Sequence, residues 1–280
     1  MSDKKLISVI IARHDRPLDY LERAVRSVLA QTYPSIELLI VDSGENIDDT
    51  RRCVDSITSG QNTPIIIWSK GASGPAARNI GALSSNGTYL AFLDDDDEWR
   101  LDKLEKQMAC FDDSCSIVYS NYESIDRGGK KRYFFENDPT SNDLNTRILG
   151  ENVIGCTSMP LVSKESFLSA GGFDESFRAN QEWDLWIRML QKSGANYCPI
   201  VAGIKYYNPG CISSSKKLRI SGWFTLLVKH NRLYRKNPEQ LLSALDFFRW
   251  ELFDKQSYFV GFFVVLSHSS IRLWMRMKNK

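Results

Sequence analysis

Short apolar runs alternate with amphipathic stretches through the first third of the chain. LISVIIA (6–12) is short, apolar and β-branched, which predicts a buried strand. Leu18, Leu21, Val25, Val28 and Leu29 then recur at helical spacing, and the segment from Gln31 to Ser35, with Pro34, ends that helix. IELLIVD (36–42) predicts a second strand, DSGEN (42–46) its turn, and a polar helix follows to about Ser59. PIIIW (64–68) predicts a third strand. Ser73-Gly74-Pro75 reads as a helix start with proline in the first turn, and that helix runs to Asn86 before Gly87. TYLAFL (88–93) is the fourth strand. The alternation predicts a parallel sheet with helices on both faces.

In such sheets ligands bind beyond the carboxyl ends of the strands. Three polar clusters fall there: Arg13-His14-Asp15, Asp42-Ser43-Gly44, and the acidic run Asp94 to Glu98. Adjacent unit charges in water repel by roughly 0.5–1 kcal/mol each, so the run opposes folding unless positive charge meets it. Consecutive aspartates at a strand end suit a hard divalent cation, Mg²⁺ or Mn²⁺, shared with a phosphorylated ligand. The run reads equally as a solvated loop or as the N-terminal cap of a helix starting at Arg100.

Beyond it, Leu101, Leu104, Met108 and Phe111 predict one helix face. SIVYSNYESI (116–125) and KRYFF (131–135), around Gly128-Gly129, predict a hairpin-like pair. CTSMPLVS (156–163) predicts a strand, Lys164 to Ala170 a short helix, Gly171 to Asp174 a turn, Gln181 to Gln191 a helix, and YCPIVAGIKYY (197–207) a last strand. A loop, PGCISSSKKLR (209–219), offers Lys216 and Lys217. From about Ile220 the pattern is helical, aromatic and basic. YFVGFFVVLS (258–267) is about half the ~20 residues that span a bilayer. With its basic and aromatic flank it fits an interfacial anchor, and equally a helix packed on the domain. The expectation is packing plus peripheral membrane contact through 256–280.

A net charge of +2 is too small to make nucleic acid the main partner. Six cysteines without CxxC spacing read as reduced thiols, not a zinc site or disulfide frame, and nothing near Met1 reads as a signal peptide. The expected location is cytoplasmic, with peripheral contact at the inner face of the cell membrane.

SVIIARHDRP (8–17), SVLAQTYPSIELLIVDSG (27–44), GPAARNIGA (74–82), NGTYLAFLDDDDEW (86–99) and GGFDESF…QEWDLWIRM (171–189) together resemble the family 2 glycosyltransferases. The resemblance covers roughly residues 6 to 208 in the family's order and spacing. It implies an α/β fold of the GT-A type: Rossmann-like, with a mostly parallel central sheet and flanking helices. Residues 1–217 would form the nucleotide-sugar-binding and catalytic domain, and 218–280 a C-terminal helical extension.

The resemblance also implies roles. Asp42 matches the aspartate that binds the nucleobase, and Ala12, Arg13 and His14 lie where the family's segment meets base and ribose. That segment usually reads Pro-Thr-Tyr-Asn, so this chain departs from the pattern. Arg78 matches the arginine of the Ala-Arg-Asn motif, and Lys70 is a further diphosphate contact. The Asp-x-Asp motif falls on Asp94, Asp95 and Asp96, with Asp94 and Asp96 as metal ligands and Asp94 and Asp95 on the donor side. Asp97, Trp99, Trp183 and Asp184 are assigned to the acceptor side, with Asp97 and Glu98 alternatively capping the next helix. Glu182 matches the catalytic base, where aspartate is usual; Asp184 is the alternative. The extra methylene moves the carboxylate by about an ångström, and displacement of that size can cost roughly 10²-fold.

The implied activity is metal-dependent (Mn²⁺ or Mg²⁺), inverting transfer of a sugar from a nucleotide-diphosphate donor. A UDP-sugar is expected, because Asp42 can accept the imide proton of uracil. The acceptor is a hydroxyl of a glycan or a lipid-linked molecule. Two alternatives stand beside it. A sugar-nucleotide pyrophosphorylase would want a glycine-rich loop after the first strand, and ARHDRP has no glycine. A non-catalytic nucleotide- or glycan-binding member is suggested by Gln181-Glu182, where the family has Glu-Asp.

Overall fold

The computed structural model describes residues 5–58, 63–126, 129, 131–135, 143–207 and 215–253. Strands β1 (Ile7–Arg13), β2 (Ile36–Asp42), β3 (Ile65–Trp68) and β4 (Tyr89–Asp94) lie in parallel in the order β3-β2-β1-β4. Helices α1 (Leu18–Leu29), α2 (Ile47–Thr58) and α3 (Gly74–Ser84) connect them. The pattern explains why. Alternate residues of a strand point to opposite faces. Val9 and Ile11 meet Leu21, Val25 and Val28 of α1 on one face. Ile10 meets Ala77 and Ala82 of α3 on the other. The start of α3 is fixed by Ser73, whose Oγ accepts from the Ala76 N–H, with Pro75 in the first turn.

The sheet continues as β4-β8-β6-β9-β5. Strand β8 (Leu161–Ser163) is antiparallel to β4 and to β6 (Cys115–Asp126). The long strand β9 (Gly194–Tyr207) runs parallel to β6, and β5 (Glu98–Trp99) is antiparallel to β9. The expected hairpin-like pair is present, with β7 (Lys131–Phe135) antiparallel to β6. Three expectations are corrected. Residues 156–163 yield a strand only from Leu161, because Pro160 has no N–H for the ladder. Glu98 caps no helix, since it pairs with Ile204 across the β5–β9 ladder. Helix α4 (Lys103–Ala109) begins after Asp102, and Leu101 stays outside its buried face.

Helices α5 (Leu144–Gly150), α6 (Lys164–Ser169) and α7 (Gln181–Leu190) cover the second half of the sheet. They are followed by α8 (Lys216–Lys229), α9 (Asn231–Lys236) and α10 (Pro238–Phe253). Trp223, Leu226, Tyr234, Leu245 and Phe248 of these last helices share one hydrophobic cluster with Ile10, Phe92 and Trp186. Among the described residues this cluster runs across the expected boundary at 217/218, and Lys216 and Lys217 open α8 instead of ending a loop. Residues 208–214 and the expected anchor at 256–280 lie outside the described residues. Among the described residues no helix is long and apolar enough to cross a membrane.

One buried cation belongs to the scaffold. Lys103 is fully buried; its Nζ donates to Gln107 Oε1 at 2.8 Å and sits 4.0 Å from the centre of the Trp99 ring. Burial pulls the ammonium down to about 7. The folded protein thus binds fewer protons than the unfolded chain from about pH 7 up to about 10.4, and stability rises with pH across that window. Lys103→Met is expected to stabilise the protein at pH 6 by roughly 1–4 kcal/mol. That gain should shrink toward pH 10. Urea denaturation at both pH values checks this, and a gain that does not change with pH would contradict it.

Candidate active site

The register aligns Ala12 with Asp94 and Arg13 with Asp42, so the ends of β2, β1 and β4 stand side by side. Asp42 is fully buried and accepts from Arg13 Nη1 at 3.2 Å, from the Gly44 N–H at 2.8 Å, and from Thr50 Oγ1. This is the carboxylate that the resemblance assigns to the nucleobase. Arg13, standing where the family has a short segment, reaches across and occupies it. Exposed His14 contacts Ser43 Oγ through Nδ1 at 3.2 Å, and Ala12 is half-buried beside it. Lys70 pairs with Glu45 at 2.6 Å on the surface, a type of pair that contributes little to stability.

The acidic run divides by direction. Asp95 and Asp96 meet Arg16 at 2.8 and 2.7 Å, and Arg23 donates to the Asp96 carbonyl at 2.6 Å. Asp94 pairs with Arg78, and its N–H donates to Ser158 Oγ. Asp97 accepts from Ser158 Oγ and from the Tyr206 N–H. Asp94, Asp96 and Asp97 each bring a carboxylate oxygen within 4.8 Å of the others. Asp97, expected on the acceptor side, joins the metal-ligand candidates, and Asp95 turns to Arg16 instead.

Burial, reinforced by the charge of Asp96, pushes Asp97 up to about 8. Burial also raises Asp95 to about 7, against the pull of Arg16. Burial works against the charged form of Asp94 as well, but Arg78 foremost, then Lys205, holds it below the ordinary carboxylate range. Three close, hard carboxylate oxygens fit a divalent cation such as Mg²⁺ or Mn²⁺.

Arg78 is buried, and its Nε and Nη1 have no hydrogen-bond partner. A buried guanidinium with two unused donors suits an anionic oxygen ligand. Glu182, at the start of α7, is half-buried, and the charges of Lys205, Arg78 and Asp94 reach it. Burial raises its pKa, the direction that makes a carboxylate a better proton acceptor. Asn180, the residue before α7, adopts a left-handed conformation at φ 60°, which turns the chain into the helix.

Three residues expected on the acceptor side are buried parts of the scaffold. Trp99 donates through Nε1 to the Ser158 carbonyl at 2.6 Å. Trp183 donates to the Ile148 carbonyl at 2.6 Å and packs edge-on against Trp223, so no ring face is left for a sugar. Asp184 is fully buried and meets Arg188 at 2.7 Å, Lys229 at 2.9 Å and His230 at 2.9 Å. Between the two base candidates, the geometry puts Glu182 within reach of the acidic cluster's charges and commits Asp184 to the helix packing.

Arg16, Ser158 and Lys205 were not singled out by the sequence. Arg16 lies in ARHDRP beside the chosen positions and was legible there as a fourth polar residue. Ser158 and Lys205 lie 61 and 108 residues beyond Asp97; Ser158, just before β8, arrives with the pairing of β8 on β4, and Lys205 with that of β9 on β5.

The Glycosyl transferase family 2 model matches residues 8–169. The chain is 30% identical over 228 residues to TuaG of Bacillus subtilis (strain 168), named for teichuronic acid biosynthesis; the match covers 79% of this chain and 87% of that one. It is 29% identical over 218 residues to WfgD of Escherichia coli, named as a UDP-Glc:alpha-D-GlcNAc-diphosphoundecaprenol beta-1,3-glucosyltransferase, with 76% and 82% covered. The fold matches the mannosyltransferase PcManGT of Pyrobaculum calidifontis, solved with GDP-Man and Mn²⁺. There the TM-score is 0.63 at 14% identity, covering 99% of this chain and 85% of that one.

Removing the buried anion at Asp184 leaves the cations of Arg188 and Lys229, and the His230 ring, without their common partner. Asp184→Asn is expected to cost roughly 3–5 kcal/mol in urea denaturation at pH 7. Its hydrogen-bonded cations outweigh burial and hold the Asp184 pKa below the ordinary value. The penalty is therefore present at neutral pH and should fade as pH drops through that lowered pKa.

Proposed function

The chain belongs to glycosyl transferase family 2, and from that premise we propose a metal-dependent, inverting transfer from a nucleotide-diphosphate sugar, with UDP as the nucleotide. The observation that carries this reading is the convergence of three elements at one strand end: the carboxylates of Asp94, Asp96 and Asp97, the unused donors of Arg78, and Glu182. The acceptor is a hydroxyl of a glycan or lipid-linked molecule. The name of WfgD, with its UDP-glucose donor and diphosphoundecaprenol acceptor, supports both choices.

Each group then has a task. Glu182 takes the proton of the acceptor hydroxyl as its oxygen bonds to the anomeric carbon and the bond to the diphosphate breaks. Arg78 turns Nε and Nη1 to the diphosphate oxygens while Asp94 holds its other end. A divalent cation held by Asp94, Asp96 and Asp97, Mn²⁺ or Mg²⁺, supplies Lewis-acid neutralisation of the departing diphosphate when bound. Arg16 bridges Asp95 and Asp96 through one guanidinium nitrogen. Arg13 and His14 border the base side, Arg13 through its hold on Asp42.

The test is a panel of UDP-, GDP- and dTDP-sugars with Mn²⁺, read by donor hydrolysis and thermal shift. A UDP-sugar is expected to stabilise the protein with metal, and Asp96→Asn to abolish the metal-dependent part of the shift. Glu182→Gln should lower transfer by about 10²–10⁴-fold while keeping the donor-induced shift. Transfer by the parent should also fall on the acid side, as Glu182 protonates at its raised pKa. Turnover that survives Glu182→Gln would refute the base assignment, and no shift with any nucleotide and metal would refute the donor assignment.

A further inference from the structure

Charge is segregated at the C-terminal helices. Residues 216–236, which form α8 and α9, contain seven Lys and Arg and no Asp or Glu. The segment is therefore +7 in a chain of +2, and the remainder is net −5.

Helix α8 also breaks the usual amphipathic arrangement. One face is packed: Gly222, Trp223, Leu226 and His230 at the helix end are buried. A Cβ on Gly222 would come within 2.4 Å of the Ala179 carbonyl oxygen, so α8 lies directly on the segment leading to Glu182. The opposite face holds Lys217, Ser221, Phe224 and Val228, at helical spacing and all exposed. Phe224 is 51% and Val228 69% exposed, and Phe247 of α10, beside Trp223, is 41% exposed. Arg232, Arg235 and Lys236 of α9 continue the basic surface, and none forms an ion pair among the described residues.

We propose that the outer face of α8 and α9 docks on an anionic lipid surface, with Phe224 and Val228 entering the headgroup boundary and Arg232, Arg235 and Lys236 meeting the lipid charge. Large apolar side chains left in water beside a one-sign basic patch are the features of an interfacial helix. Each basic residue near an anionic bilayer adds attraction that salt screens within a Debye length. The inner face of the same helix holds α7 through Lys229 and His230 on Asp184. A bilayer under α8 would thus lie next to the helix that carries Glu182. That consequence, delivery of a lipid-linked hydroxyl, rests on the proposed function; the docking itself does not.

The experiment is vesicle flotation of the full chain with phosphatidylcholine alone and with phosphatidylcholine containing phosphatidylglycerol. Binding is expected only to the anionic vesicles and should weaken steeply with salt. The triple variant Arg232→Glu, Arg235→Glu, Lys236→Glu should lose on the order of 100-fold in partitioning. Phe224→Ser with Val228→Ser should weaken binding at every salt concentration. Circular dichroism and donor hydrolysis with Mn²⁺ should match the parent in both variants, which separates loss of docking from loss of folding or chemistry. Equal binding to neutral vesicles, parent-like binding by both variants, or tighter binding to single-stranded nucleic acid than to anionic vesicles would overturn the assignment. If donor hydrolysis is absent in the parent while vesicle binding follows this pattern, the proposed function fails and the docking surface stands.

Discussion

Neutralisation of the acidic run at the end of β4 is the constraint from which the rest of the site follows. Five acidic residues in succession cannot be gathered at a strand end without cations, and the chain supplies them from three distant places. Arg16 comes from the loop after β1, Arg78 from α3, and Lys205 from β9. Arg16 bridges Asp95 and Asp96, while Arg78 and Lys205 bring their charges to Asp94. Asp95 goes to Arg16, Asp94 to Arg78, and Asp97 to Ser158 and the Tyr206 backbone. What remains is a trio, Asp94, Asp96 and Asp97, whose close oxygens suit a hard cation.

A second buried charge steadies the other side of the site. Asp184 gathers Arg188 from its own helix and Lys229 with His230 from the C-terminal helices. Buried charges of this kind are costly to leave unpaired, so the pairing fixes how α7 sits against α8. Glu182, two residues earlier on the first turn of α7, inherits that fixed position. The tryptophans of this helix are used the same way: both indole N–H groups are satisfied by main-chain carbonyls and both rings are core. The C-terminal helices share one hydrophobic cluster with the sheet and α7.

Much of this was determined by the sequence alone. The four parallel strands, their crossover helices and the three polar clusters at the strand ends were legible because period-2 and period-3.6 patterns are local properties of the chain. The motifs on β4 and α7 named the acidic cluster and Glu182, because spacing within a motif is also local. The tertiary structure alone decided which charges meet. The pairing of Arg13 with Asp42 follows from the β1–β2 register, which no local pattern specifies. Asp97 became a ligand candidate, and Trp99, Trp183 and Asp184 became scaffold, because each finds a partner 35 to 61 residues away in sequence. Lys205 is the clearest case. No local pattern marks it, and only the pairing of β5 with β9 brings its ammonium to the aspartates.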